Sequence, residues 1–211
     1  MLAKTTTLLS SLLCAATTLL ALEGQRDNTP KPPTDAALAL IQDVADLPRI
    51  LITGDSISIG HTLPARERLR GKGNLHCIPD NASSTGIGLK KHTGWLGINR
   101  WDVMDYNFGL HDGTLPPEGA GYSSLDHYEM NLRESGRQLR TTGAKLNGAS
   151  TTAVPNGCYL TRNRRFGDVA AYNTIAANIM LENGIVINDL HALITPRLTK
   201  MQQSNRCPFL G

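Results

Sequence analysis

The chain is poor in aromatic residues, with 3 Phe, 5 Tyr and 2 Trp in 211 positions, and its net charge is only +3. A nucleic-acid binder shows a basic stripe or stacking aromatics. Here the densest basic cluster is Arg162, Arg164 and Arg165, which reads as a solvated loop. No Cys-x-x-Cys or His-x-x-x-His spacing is present, so no metal ligand set is expected. No Gly-x-x-x-x-Gly-Lys-Ser/Thr or Gly-x-Gly-x-x-Gly pattern follows a strand, which argues against a nucleotide-binding domain built on Gly86–Gly88. The four cysteines, Cys14, Cys77, Cys158 and Cys207, do not make a disulfide framework. Once the leader described next is removed, three remain, and an odd count leaves the pairing open.

The N-terminus has the pattern of an export leader. Lys4 supplies the positive start, Leu8 to Leu22 is apolar with Ser/Thr interruptions, and Ala21 and Gly24 offer the small residues of a cleavage site. The apolar run is too short and too hydroxyl-rich for a good membrane span. We therefore expect residues 1–24 to be a signal peptide and the mature protein to be periplasmic or extracellular, with no stable membrane insertion. Cys14 follows Leu13 rather than a small residue, which does not suit a lipoprotein signal. Residues 25–46 comprise a Pro-rich linker and a short helix over 35–46, with Asp35 as a candidate cap. Residues 47–211 are expected to form one domain.

From residue 49 the chain alternates strand-like and helix-like stretches. Arg49–Thr53, Leu75–Ile78, Trp101–Phe108 and Ala144–Val154 read as strands stopped by Gly or Pro. Residues 63–70, 125–140 and 168–183 read as helices. In the last of these Val169, Tyr172, Ala176 and Ile179 recur at helical steps, Asp168 opens the segment and Gly184 follows it. Residues 185–194 form another apolar segment. Alternation of this kind predicts an α/β protein, a three-layer α/β/α sandwich around a mainly parallel sheet. Ligands in such sheets bind beyond the carboxyl ends of the strands. The loops after Thr53, Ile78 and Phe108 are accordingly the places to look for chemistry.

The first of these loops is Gly54-Asp55-Ser56-Ile57-Ser58. A serine on a tight turn between a buried strand and a helix is exposed for attack, and the helix N-terminus offers free N–H groups to a developing negative charge. Read blandly, the same residues are a helix cap, for which Ser and Asp are both favoured. The second loop, PDNASSTGIGL, offers Gly88 with Gly86 as a fallback, and the third holds Gly109-Leu110-His111-Asp112.

Taken together, RILITGDSISIG, PDNASSTGIGL and NFGLHD resemble the motifs of the SGNH/GDSL hydrolase superfamily, in an exported bacterial branch where Gly-Leu-His-Asp stands for Gly-x-Asn-Asp. The resemblance covers roughly residues 47–205. It implies an SGNH-hydrolase (flavodoxin-like) fold and a serine ester hydrolase. Ser56 takes the place of the nucleophile, and the N–H of Gly88 and the ring of His111 are oxyanion donors. An imidazole N–H can replace an asparagine amide in that role. The other reading of His111 is a pocket-wall residue bonded to Asp112.

One family motif, the C-terminal Asp-x-x-His that supplies the base and its orienting carboxylate, has no match. His191 lies in Asp189-Leu190-His191, one residue short; on a helix, positions i and i+2 point in divergent directions. With no match to this motif in the C-terminal residues, a domain incomplete at its C-terminus is expected. The resemblance thus implies a carbohydrate or small-molecule acyl or acetyl esterase, impaired if its base is lost. The competing reading is a non-catalytic protein that holds a glycan or acyl ligand in the same pocket. No cofactor or metal is expected, and the partner is a small-molecule or carbohydrate ester rather than nucleic acid.

Overall fold

The computed structural model describes residues 34–113, 123–154 and 168–197. The leader, the linker up to residue 33, Cys158, Cys207, the arginine cluster and the C-terminal residues from 198 onward lie outside them. Five strands, β1 (Arg49–Thr53), β2 (Asn74–Cys77), β3 (Val103–Tyr106), β4 (Lys145–Ala149) and β5 (Val186–Asn188), form one sheet in the order β2-β1-β3-β4-β5. Every pairing is parallel. The helices are α1 (Thr34–Leu38), α2 (Ser56–Arg68), α3 (Thr85–Leu96), α4 (Leu125–Arg140), α5 (Asp168–Glu182) and α6 (Leu190–Ile194), the last followed by a 3-10 turn. Among the described residues no helix is long and apolar enough to cross a membrane.

The central strands are apolar on both faces because helices cover both. On one face, Ala65 of α2 and Leu69 at its C-terminal cap pack against Ile50, Ile52, Leu75 and Val103. On the other, Leu51, Met104, Tyr106 and Leu146 share a core with Tyr128, Leu132 and Leu139 of α4 and Tyr172, Ile179 and Met180 of α5. The buried residues of α4 recur at steps of three and four, and Ser124 caps it by accepting from the His127 N–H at 3.2 Å. α5 ends where Gly184 takes φ +61° and Ile185 N–H reaches back to Met180 O at 2.9 Å, a backbone turn that glycine makes at little cost.

The helix expected over 63–70 begins earlier, as α2 from Ser56 with Pro64 inside it, and two further elements differ from the sequence expectation. The helix read over 35–46 stops at Leu38, because the guanidinium of Arg66 takes the carbonyls of Ala36 and Ala39 at 3.0 and 3.2 Å. The chain then runs as a strap to β1. Asn74 accepts from Val44 N–H and donates to Val44 O and Leu47 O. Asp43 bridges Arg49 and His76, each at 2.7 Å, and Arg49 lies over the Trp101 ring. The second difference is α3, which the sequence reading left as a Gly-rich loop. Gly86, Gly88 and Gly94 lower its intrinsic helicity, yet packing requires one of them: a Cβ on Gly88 would lie 2.6 Å from Phe108 and 3.2 Å from His92.

The sheet also buries one carboxyl group. Asp105 of β3 is 8% exposed and accepts a hydrogen bond from the Asn147 amide on β4. Burial lifts its pKa from the usual 3.8 to about 6, partly offset by that bond. The folded protein therefore holds a proton that the unfolded chain releases at lower pH. Stability falls as pH rises from 3.8 to about 6 and stays lower above that window. Urea midpoints measured across this range should show that fall for the wild type and a flatter profile for Asp105→Asn; identical pH profiles would refute the assignment.

Candidate active site

The strand order reverses direction at β1, which has β2 on one side and β3 on the other. Chains leaving the carboxyl ends of β1 and β3 therefore diverge and leave a crevice between them. The turn after β1 and the loop after β3 meet there, pinned by Asn107 N–H to Thr53 O at 3.0 Å. The turn is tight enough that a Cβ on Gly54 would collide with the Ser58 side chain at 2.0 Å. The loop leading into α3 joins the same end through Ala82 N–H to Gly54 O at 3.0 Å.

Ser56 is the first residue of α2 and is half-buried. The cap belongs to Asp55 instead, whose side chain accepts from Ile57 N–H at 2.9 Å. Capping by the neighbour leaves the serine hydroxyl uncommitted: among the described residues it makes no hydrogen bond with any histidine ring. Its backbone N–H sits in the first turn of the helix, where intrahelical acceptors are absent.

His111 reaches this turn. Its Nε2 lies 3.6 Å from Asp55 Oδ2 and its Nδ1 lies 3.3 Å from Ser83 Oγ. The ring is mostly buried, with 18% of the side chain exposed. The loop that carries it is fixed at several points. Tyr128 and Thr151 both donate to Phe108 O, at 3.0 and 3.1 Å. Gly109 follows with φ +141°, and a Cβ there would meet Thr151 Oγ1 at 2.7 Å. Leu110 packs with Val154 and Val169, against which Ile57 leans from the serine turn. Asp112 accepts from both the N–H and the hydroxyl of Thr85 at the start of α3. Burial pushes the Asp112 carboxyl up, opposed by these bonds.

The expected contribution of Gly88 is corrected by this geometry. Gly88 is buried inside α3 and its N–H donates to Ser84 O at 3.0 Å, so it cannot also serve an oxyanion; its place is taken up by packing against Phe108. The fallback, Gly86, is the second residue of α3 and is half-buried. Its N–H belongs to the first turn, ahead of the intrahelical bonds that begin with Ile87. Only the helix boundary, which the glycine-rich sequence does not reveal, distinguishes the two glycines.

His191 begins α6. Its N–H donates to Ser150 Oγ, and its ring Nδ1 lies 3.5 Å from Thr195 Oγ1. Asp189 caps the same helix and receives Ser150 Oγ at 2.9 Å. The two residues thus hold the β4 and β5 ends together, and neither is hydrogen-bonded to Ser56. Behind the serine turn a small cleft is lined by Ile57, Ser58, His61, Asp105, Asn107 and Ser150 among others. The sequence reading did not identify His61 or Asp105. Burial lowers the His61 pKa. Among the described residues no cluster of three His, Cys, Asp or Glu side chains could hold a metal ion.

No protein-family model matches the chain, and no curated protein matches it. Solved structures do. An acetyl xylan esterase and a lipase/acylhydrolase from Enterococcus faecalis each superpose with a TM-score of 0.63 at 16% identity, over 75% of this chain and 85% of theirs. A GDSL-like lipase from Bacteroides thetaiotaomicron superposes with a TM-score of 0.54 at 16% identity, over 72% of this chain and 73% of its own. With its five parallel strands in the order β2-β1-β3-β4-β5 and its Gly-Asp-Ser turn at the crevice, the chain has the α/β fold of the SGNH/GDSL hydrolases.

Proposed function

We propose that this protein is a serine ester hydrolase acting on a short acyl group, an acetyl ester of a carbohydrate or a similar small molecule. The observation that carries the reading is the meeting of the Ser56 turn with His111, whose Nε2 lies 3.6 Å from the carboxylate of the preceding residue. Support for the substrate class comes from the acetyl xylan esterases among the similar structures. An export leader in residues 1–24 would bring such a site to polymers outside the cytoplasm.

In this reading Ser56 Oγ attacks the ester carbonyl and its proton passes to a base. The carbonyl oxygen becomes an oxyanion held by the N–H groups of Ser56 and Gly86 and by the His111 ring. Collapse expels the alcohol, and water then releases the acid from the acyl-serine. Preorganised donors of this kind lower the barrier because they cost no reorganisation as charge develops. The base is the open role. A serine hydroxyl without one is a weak nucleophile at neutral pH.

A second reading follows from that vacancy of hydrogen bonding at Ser56 among the described residues: a protein that holds a glycan or acyl ligand in the crevice without cleaving it. Hydrolysis of p-nitrophenyl acetate separates the two. The esterase reading predicts that Ser56→Ala loses about 10²-fold or more in rate; equal rates for the two proteins would leave binding as the function.

The oxyanion role of His111 has its own test. Removing one such donor costs roughly 10²–10³-fold in kcat with little change in KM. His111→Ala should show that loss, whereas His111→Asn, which restores an amide donor, should stay within about tenfold of wild type. An Asn variant as weak as the Ala variant would speak against a donor role.

A further inference from the structure

His92 lies on the buried side of α3, and the proposed reaction gives it no task. It is 1% exposed. Its ring packs against Trp95 of the same helix, with centroids 5.9 Å apart, and against Phe108 at 6.1 Å. Neither ring nitrogen has a hydrogen-bond partner among the described residues, and the same holds for two atoms of α4, Ser135 Oγ and Gln138 Oε1. The two helices lie side by side. Asn131 donates to Thr85 Oγ1 at 3.2 Å, and two turns further along both helices Gln138 faces His92 without hydrogen-bond geometry. Ser135 precedes Gln138 by three residues and so shares its side of α4. Buried polar atoms without partners are costly, and an apolar side chain would fill the same space without that cost.

The seam is also poor in charge. Gln138 Nε2 donates to Glu134 Oε1 at 3.1 Å, which turns its Oε1 inward, and the Glu134 carboxylate is itself held by Arg137. On α3, Lys91 is turned outward to Asp80. From the sheet side the ring meets Phe108. Among the described residues no charged group acts on the imidazole; burial lowers its pKa from the usual 6.5, opposed by Gln138. The ring is therefore neutral in the packed seam, and a proton on it demands water.

The crevice depends on this seam at two points. The Phe108 ring closes over Gly88 of α3, and the same residue leads into Gly109 and the His111 loop. At its start, α3 holds Asp112 through Thr85 and carries Gly86. We propose that the α3–α4 seam is an acid-sensitive latch on the crevice: a neutral His92 ring keeps α3 packed against α4 and Phe108, and a proton on that ring releases α3. The catalytic meaning of the latch rests on the esterase reading, but its existence does not. The packed seam binds fewer protons than the open one, so it loses stability as pH falls from 6.5 toward the lowered value of the ring. Asp112 works in the opposite sense, since burial pushes its carboxyl up and acid then favours the packed state. Replacing His92 isolates the histidine from that carboxyl.

The experiment is hydrogen exchange of the full chain, read amide by amide by NMR and corrected for the intrinsic pH dependence of exchange. Wild type and His92→Leu are compared from about pH 7.5 to about pH 4.5. In wild type the α3 amides should lose protection about tenfold for each pH unit below 6.5, until the ring's own value is reached, while the β1 and β3 amides keep theirs. In His92→Leu the α3 protection should change by less than about twofold. Equal pH dependence in the two proteins, or loss of protection in α3 and the central strands together, overturns the proposal. Should His92→Leu not fold, the His92 ring signals of wild type decide: titration below 6.5, with α3 protection falling over the same range, supports the latch. A ring that titrates at 6.5, or α3 amides protected throughout, overturns it. Exchange needs no turnover, so a latch found in a protein that cleaves no ester rejects the esterase reading alone.

Discussion

The parallel pairing of β1 with β3 is the constraint on which the site depends. Ile50 pairs with Val103 and Thr53 with Tyr106, which brings both strands to their carboxyl ends at one level. From there one chain turns into α2 at Ser56 and the other runs into the Gly109–Asp112 loop. Because the order reverses at β1, no crossover helix blocks the space between them. A shift of one residue in this register would turn Asp105 and Tyr106 to opposite faces and separate His111 from the serine turn. The apolar pairs Ile50–Val103 and Ile50–Leu75 specify the register through their shared cluster under α2.

Around that register the loops are held by buried polar groups rather than by further apolar contact. Phe108 O takes two hydroxyl donors, Asp112 gathers the start of α3, and Asp55 caps α2 while facing His111. Each of these groups would be costly to bury unpaired. Together these bonds tie the loops around the crevice to the sheet and to α3, the kind of preorganisation that the proposed oxyanion site would need.

Much of the architecture was legible because it follows from periodicity. The apolar strands, the three- and four-residue steps of α5 and the glycine after it gave the type and order of those elements. α3 was hidden because it carries three glycines, of which Gly88 is required by packing against Phe108, a reason that is tertiary and leaves no helical signature. For the same reason the sequence does not show that the Gly88 N–H is spent inside the helix on Ser84 O. Helix α1 was overdrawn because the sequence does not reveal that Arg66, thirty residues on, would take its carbonyls. For the site, Ser56 and His111 were visible as motif positions. The Asp55 and Ser83 partners of His111 were not, since separations of 56 and 28 residues become contacts only through the sheet.

The central claim is that Ser56 is a working nucleophile and not merely the first residue of a helix. Reaction with a fluorophosphonate ester, followed by peptide mapping in a mass spectrometer, tests it most directly, because that reagent phosphonylates serines whose hydroxyl is activated. The account predicts one equivalent of adduct, carried by Ser56 and lost in Ser56→Ala. An unlabelled protein, or label distributed over Ser58, Ser83 and other serines, would contradict it.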